Sequence, residues 1–134
     1  MTTLIFSHYG VSPYLIKTMQ FANHTNPNTK KILIGDESNK DLARNVGWEW
    51  IDVDGYSTQR INEFNDSFVT VSGNLHQDIK NNRNWTHYVF YRWFVIEELL
   101  NRINIDEFWH FDSDTLILED LSKYDYLQDS HLSM

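Results

Sequence analysis

Short apolar runs and stretches of helical spacing alternate along the first third of the chain. Residues 3–7 form a short β-type run, and apolar positions between 15 and 22 then recur at helical spacing until Asn26-Pro27 ends them. Ser12-Pro13 is typical of a helix start, with the serine as the N-cap. The pattern predicts a first strand followed by a first helix.

The same order recurs downstream. Residues 31–34 predict a second strand, residues 39–46 a short helix that stops at Gly47, and residues 48–53 a third strand. Strands separated by helices indicate a parallel sheet. We therefore predict an α/β fold with a Rossmann-like, mainly parallel sheet and flanking helices.

The second half of the chain holds one clear helix. Residues 54–84 are polar, with signals for a short helix near 59–64 and a turn at 72–74. From Trp85 to Ile103 the spacing predicts a long amphipathic helix. Its predicted apolar face consists of Val89, Trp93, Ile96, Leu100 and Ile103. The helix leads into an apolar run at 108–111, a further predicted strand.

Length and composition predict a single globular domain over residues 1–134. Hydrophobic residues make up 41% and aromatic residues 15%, which is enough for a packed core. The last four residues, 131–134, resemble the opening of another strand. We therefore expect the domain to be incomplete at its C-terminus.

Charge and cysteine usage exclude several classes of partner. The net charge is −8 and no cluster of lysine and arginine is visible, so we expect no general affinity for nucleic acid. Cysteine is absent, which excludes disulfides and thiolate metal sites and fits a reducing compartment. The start does not read as a signal peptide and no run predicts a transmembrane segment, so we expect a cytoplasmic protein.

Asp112 and Asp114 raise the main chemical question. Two unit charges ~4 Å apart repel by about 4 kcal/mol near a protein surface, so solvent, a shared proton or a cation must offset them. An Asx-turn at a strand end is the ordinary interpretation of such a pair. A bound Mg²⁺ or Mn²⁺ is the functional one, because these ions prefer carboxylate oxygens.

The strand ends supply further candidates. In open parallel sheets ligands bind beyond the carboxyl ends of the strands. That rule selects Ser7, His8 and Tyr9 after the first strand, and Asp36 and Glu37 after the second.

Two more residues need an explanation. Arg92 projects from the predicted apolar arc of the long helix, where a guanidinium needs a partner. An internal salt bridge or a snorkelling side chain is the ordinary interpretation, and an anion clamp is the functional one. His110 lies within the apolar strand, and we interpret it as a hydrogen-bonded core histidine and not a ligand.

One segment resembles a known enzyme family. Residues 91–124, YRWFVIEELLNRINIDEFWHFDSDTLILEDLSKY, are similar to the centre of nucleotide-sugar glycosyltransferases of the GT-A fold, especially their family 8-like branch. That family has an arginine on the helix before an apolar strand, then Asp-x-Asp, then a hydrophobic stretch and an Asp-Leu turn. The matching positions are Arg92, Asp112, Ser113, Asp114 and Asp120-Leu121.

The resemblance implies a metal-dependent glycosyltransferase, or its donor-binding part. Its donor would be a nucleotide sugar, with a UDP-sugar favoured, and Asp112 and Asp114 would hold the diphosphate through Mn²⁺ or Mg²⁺. The expected donor-binding residues are Ser7, His8, Tyr9, Asp36, Arg92 and Ser113. The acceptor would be a glycan or a lipid-linked saccharide. The sequence identifies neither a catalytic residue, nor the sugar, nor the anomeric outcome.

Two alternatives stay open. Only 20 residues follow Asp114, where the family carries an acceptor pocket and commonly a third metal ligand, so the chain is alternatively a donor-binding fragment without transferase activity. The motif also resembles that of haloacid-dehalogenase-like phosphatases, in which Asp112 would attack phosphorus and Asp114 would act as general acid. Those enzymes place the motif on an early strand and need a lysine and further acids after it.

Overall fold

The computed structural model describes residues 2–68, 77–78 and 83–124. The chain divides into two compact units, Met1–Asp52 with Ile105–Met134, and Val53–Asn104. The turn predicted at 72–74 and the strand-like end at 131–134 lie outside the described residues. That the chain is one incomplete domain stays a prediction.

Within the described residues, the first unit contains a four-stranded parallel sheet. Its strands are β1 (Thr2–Ser7), β2 (Lys30–Gly35), β3 (Glu49–Asp52) and β6 (Glu107–Asp112), in the order β3-β2-β1-β6. Every pairing in this sheet is parallel. With its flanking helices, the sheet confirms the predicted α/β, Rossmann-like fold.

Two helices of this unit follow the first two strands. Helix α1 spans Leu15–Thr25, and α2 (Lys40–Asn45) follows a 3-10 turn at Glu37–Asn39. The predicted N-cap at Ser12 is wrong, because Tyr14 occupies that position and makes no side-chain cap. Ser12 instead opens the preceding turn, in which its carbonyl oxygen accepts from the amide of Leu15 at 3.0 Å.

One hydrophobic cluster of this unit lies on one face of the sheet. Phe6 of β1 packs on Trp48 with ring centroids 4.9 Å apart, and Leu33 of β2 lies in the same cluster. Helix α1 contributes its predicted apolar face, and the chain after β6 adds Ile117 and Leu121. Every residue of β1 is buried, as expected for a strand inside a parallel sheet.

Side chains near the end of α1 hold the chain that follows β6. The Thr25 hydroxyl donates to the carbonyl oxygen of Ile117 at 2.8 Å. The Asn26 amide donates to Glu119 O at 2.9 Å and accepts from the Leu121 amide at 2.7 Å. The segment after β6 is therefore fixed to the end of α1, although it is not part of a described strand.

Gly35 is the last residue of β2, and the side chains of Asn39 and Trp50 pack closely against its backbone. A Cβ at this position would overlap Oδ1 of Asn39 and lie 3.0 Å from Nε1 of Trp50. Asn39 is fully buried, so it has no free space to move into. Only glycine fits between these groups.

The second unit is described by itself. It contains α3 (Gln59–Ser67), the antiparallel pair β4 (Gln77–Asp78) and β5 (Arg83–Asn84), and α4 (Trp85–Arg102). Thr58 caps α3 by accepting from the amide of Ile61 at 3.2 Å. Phe64 of α3 stacks on Phe94 of α4 with ring centroids 4.7 Å apart.

The buried face of α4 differs from the predicted one. Its buried positions include Tyr88, Tyr91, Val95, Ile96 and Leu99, whereas Trp93, predicted to face the core, is 47% exposed. The reason is that tyrosine has an apolar body with one polar atom. The Tyr91 hydroxyl donates to the carbonyl oxygen of Val53 at 3.1 Å, so its ring is buried without loss of a hydrogen bond.

Among the described helices, none has the length and apolar character needed to cross a lipid bilayer.

We expect Gly35→Ala to lower the free energy of unfolding by about 1–3 kcal/mol, because the new methyl group overlaps Asn39. Urea denaturation of the single variants and of Gly35→Ala/Asn39→Ala forms a double-mutant cycle. Gly35→Ala should cost less in the Asn39→Ala background, where the overlapping amide is gone. Equal costs in both backgrounds would show that Asn39 is not the obstacle.

Candidate functional site

Three strands of the first unit end side by side at one edge of the sheet. Ser7, the last residue of β1, is paired with Ile34 of β2 and with Asp112 of β6. The loops that follow these strands are therefore neighbours. In this way the parallel register brings together predicted residues from positions 7–9, 36 and 112–114.

The Asp-Ser-Asp segment forms a tight turn at the end of β6. The amide of Thr115 donates to the carbonyl oxygen of Asp112 at 3.0 Å, which closes the turn. Asp112 and Asp114 are both exposed, whereas Ser113 between them is only 5% exposed. The turn thus presents two carboxylates outward and one serine inward.

Two buried hydrogen bonds hold Ser113. Its Oγ lies 2.7 Å from Nδ1 of His8, and its carbonyl oxygen accepts from the hydroxyl of Thr18 at 2.7 Å. His8 follows β1 directly and Thr18 lies on α1. Two other elements of the unit therefore fix the residue between the two aspartates.

His8 is almost fully buried, with 8% of its surface exposed. Besides the contact with Ser113, its Nε2 lies 3.1 Å from Oγ of Ser12. Burial lowers the pKa of His8 below its ordinary value of 6.5, although the charges of Asp36 and Asp114 act to raise it. The imidazole is therefore predominantly neutral at pH 7.

Asp36 shapes the loop after β2. Its Oδ2 accepts from the amide of Gly10 at 2.8 Å, and its Oδ1 accepts from the amide of Ser38 at 3.0 Å and from the Ser38 hydroxyl. Gly10 has a φ of +76°, a conformation that favours glycine. The carboxylate thus ties the β1 loop to the β2 loop, and its predicted role toward a donor stays a prediction.

Asn39 is a site residue that the sequence analysis missed. Its amide nitrogen donates to the carbonyl oxygens of His8 at 3.1 Å and Gly10 at 2.9 Å. Its oxygen accepts from the Asp36 amide at 3.2 Å and from Trp50 Nε1 at 3.2 Å. One buried side chain therefore satisfies backbone groups of both loops. The capping-box spacing from Asp36 to Asn39 was the available signal.

Ser7 and Tyr9 flank His8 in the chain. Ser7 is buried, and its Oγ lies 3.2 Å from Nε2 of His110. This contact confirms His110 as a hydrogen-bonded histidine. Tyr9 is partly exposed. Binding of a donor by Ser7 and Tyr9 stays a prediction.

Arg92 belongs to α4 of the second unit and is partly buried. Its guanidinium carbon lies 5.8 Å from the centre of the Trp93 ring. Its predicted contact with a donor also stays a prediction.

The aspartate pair would supply two carboxylate residues to a metal ion. The described ranges contain no group of three or more histidine, aspartate and glutamate residues that could hold a metal ion. Mg²⁺ is commonly bound by one or two carboxylates, with water and phosphate oxygens in its other positions. Two exposed carboxylates in one turn fit that mode of binding.

Comparisons with known proteins give no assignment. No protein-family model matches the chain, and no curated protein or solved structure matches it. Interpretation of the site therefore depends on its own residues and on the resemblance of residues 91–124.

We expect the stability of the protein to fall as the pH drops from 7.5 to 5.5, in part because of His8. The folded state keeps His8 neutral, whereas the unfolded chain takes up a proton near pH 6.5. The full contribution of neutral His8 to the free energy of unfolding is present above about pH 6.5. It is lost as the pH falls from there toward the lower pKa of His8 in the folded state.

Urea unfolding at several pH values without added metal measures this contribution. His8→Gln should flatten the fall in the free energy of unfolding, and His24→Gln, which changes an exposed histidine of the same unit, is the control. Equal slopes for His8→Gln and wild type would contradict the assignment.

Proposed function

We propose that this chain is a metal-dependent glycosyltransferase that uses a nucleotide sugar, or the donor-binding part of one. The observation that carries the proposal is the exposed Asp-Ser-Asp turn at the carboxyl end of β6, beside the loop after β1. Ligands of parallel α/β sheets bind at this edge. The resemblance of residues 91–124 to family 8-like GT-A enzymes points to the same chemistry.

Most of the predicted residues have a stated role in this proposal. Asp112 and Asp114 would hold Mn²⁺ or Mg²⁺ through their outward carboxylates. When bound, the ion would supply positive charge against the negative charge that grows on the departing nucleoside diphosphate. Ser7, His8 and Tyr9 would border the base and ribose. Arg92 would meet the phosphate or the sugar.

A donor-binding fragment without transferase activity is the second candidate. The observation in its favour is that the described residues contain no group of three or more histidine, aspartate and glutamate residues that could hold the ion. The phosphatase alternative has less support, because it needs further acids beside the pair. A cytoplasmic location remains a prediction from composition.

We expect Asp114→Asn to abolish Mn²⁺-dependent UDP binding without unfolding the protein. Removing a residue that only orients a metal ligand typically lowers metal affinity by about 10–100-fold. Removing a ligand itself should therefore lower the affinity further. Calorimetric titration of UDP with Mn²⁺ and then with EDTA measures the effect.

Asp106→Asn is the control for this variant. Asp106 is an exposed aspartate directly before the first residue of β6, so this substitution also removes one negative charge. If both variants bind UDP as wild type does, Asp114 is not a metal ligand. If GDP binds and UDP does not, the proposed metal site stands and the base of the donor is guanine.

We also expect Arg92→Ala to weaken donor affinity by about tenfold or more, the equivalent of about 1.4 kcal/mol for one charged contact. Arg102→Ala is the matched control, because Arg102 lies on the same helix with its guanidinium on Glu98 at 2.6 Å. A fall in melting temperature of Arg92→Ala with unchanged affinity would make Arg92 a structural residue only.

A further inference from the structure

We infer that His8 and Thr18 are positioning residues that set the direction of the Asp112 and Asp114 carboxylates through Ser113. The inference rests on the proposed function, because it assumes that the aspartate pair binds a divalent ion. The affinity for this ion would then depend on a hydroxyl of α1 whose hydrogen bond goes to the Ser113 carbonyl oxygen.

The three residues of the Asp-Ser-Asp turn differ in burial. Ser113 is buried while both of its neighbours are exposed, so the turn is anchored at its centre. The anchors come from two elements, the loop after β1 through His8 and helix α1 through Thr18. Neither anchor involves a carboxylate, since both bonds are made to Ser113.

The two anchors restrict different degrees of freedom. The His8 contact fixes the side chain of Ser113, because Oγ must point at Nδ1 to keep a 2.7 Å hydrogen bond. The Thr18 contact fixes the carbonyl group of Ser113. Because a peptide unit is planar, the direction of that carbonyl also sets the backbone nitrogen of Asp114. The turn closure from Thr115 to Asp112 completes the restriction.

The buried Thr18 side chain has little space in which to move away from the Ser113 carbonyl oxygen. It is 6% exposed, and its hydroxyl also approaches the carbonyl oxygen of Leu15 at 3.0 Å, against 2.7 Å for Ser113. Without the hydroxyl, the buried carbonyl of Ser113 would lose this donor. A buried acceptor without a donor is unfavourable, so the turn would be expected to rotate toward water.

A turn that samples several orientations would hold an ion more weakly. Outer partners of metal ligands are typically worth about 10–100-fold in affinity, because they hold the ligands in the geometry that the ion needs. Loss of the Thr18 hydroxyl should therefore weaken Mn²⁺ binding by that factor although both carboxylates remain.

Thr25 provides a matched control on the same helix. Its hydroxyl donates at 2.8 Å to the carbonyl oxygen of Ile117, on the chain that leaves the turn. Thr18→Val and Thr25→Val each remove one hydroxyl of α1 that donates to this segment. Only Thr18→Val removes a bond to the turn itself.

The test is titration of Mn²⁺ alone, with free Mn²⁺ followed by electron paramagnetic resonance, on wild type and four variants. The variants are Thr18→Val, Thr18→Ser, Ser113→Ala and Thr25→Val. Thr18→Val and Ser113→Ala should bind about 10–100-fold more weakly. Thr18→Ser, which keeps the hydroxyl, and Thr25→Val should stay near wild type. Urea unfolding of each variant checks that it is folded.

Each outcome decides one question. If wild type binds Mn²⁺ and both Thr18→Val and Ser113→Ala bind it equally well, the inference is overturned and the proposed ion site stands. If wild type binds no Mn²⁺, the proposed ion site and the inference both fall. If Thr18→Val does not fold, Ser113→Ala decides, since it removes only one oxygen atom and the hydrogen bond to His8.

Discussion

The parallel pairing of β1 with both β2 and β6 is the constraint on which the candidate site depends. It places Ser7 beside Asp112, residues that are far apart in the chain, and makes neighbours of the loops after the three strands. A shift of one residue in either pairing would turn the buried side chains of a strand to its opposite face. The hydrophobic core therefore fixes the location of the polar site.

Within that frame, a few buried polar groups shape the loops. Asn39 satisfies backbone groups of the loops after β1 and β2, and Asp36 links the same loops through the Gly10 amide. Thr18 and His8 do the same for the turn after β6. Buried polar groups specify one arrangement because an unpaired one is costly. Buried side chains therefore hold the loops of the site in place, while Asp112 and Asp114 remain on the surface.

Periodicity predicted most of the helices and strands, whereas Thr18 and Asn39, which act through tertiary hydrogen bonds, were not predicted. The apolar runs predicted the four strands of the parallel sheet, and the strand-end rule selected His8 and Asp36, which follow β1 and β2. Thr18 carried no signal, because its partner Ser113 is 95 positions away. Ser12 looked like a helix cap, yet its hydroxyl lies against His8. The face of α4 was misjudged because the predicted apolar set left out tyrosines that bury their rings.

The sheet order also has a consequence for how the chain folds. β1 lies inside the sheet, and its partner on one side, β6, follows far along the chain, with Thr2 and Glu107 105 positions apart. One edge of β1 therefore lacks this partner until the ribosome has delivered residue 112. Contacts over such separations slow folding, because a long loop must close before its contacts contribute. Among the strands of this sheet, the first in chain order is therefore among the last to be completed.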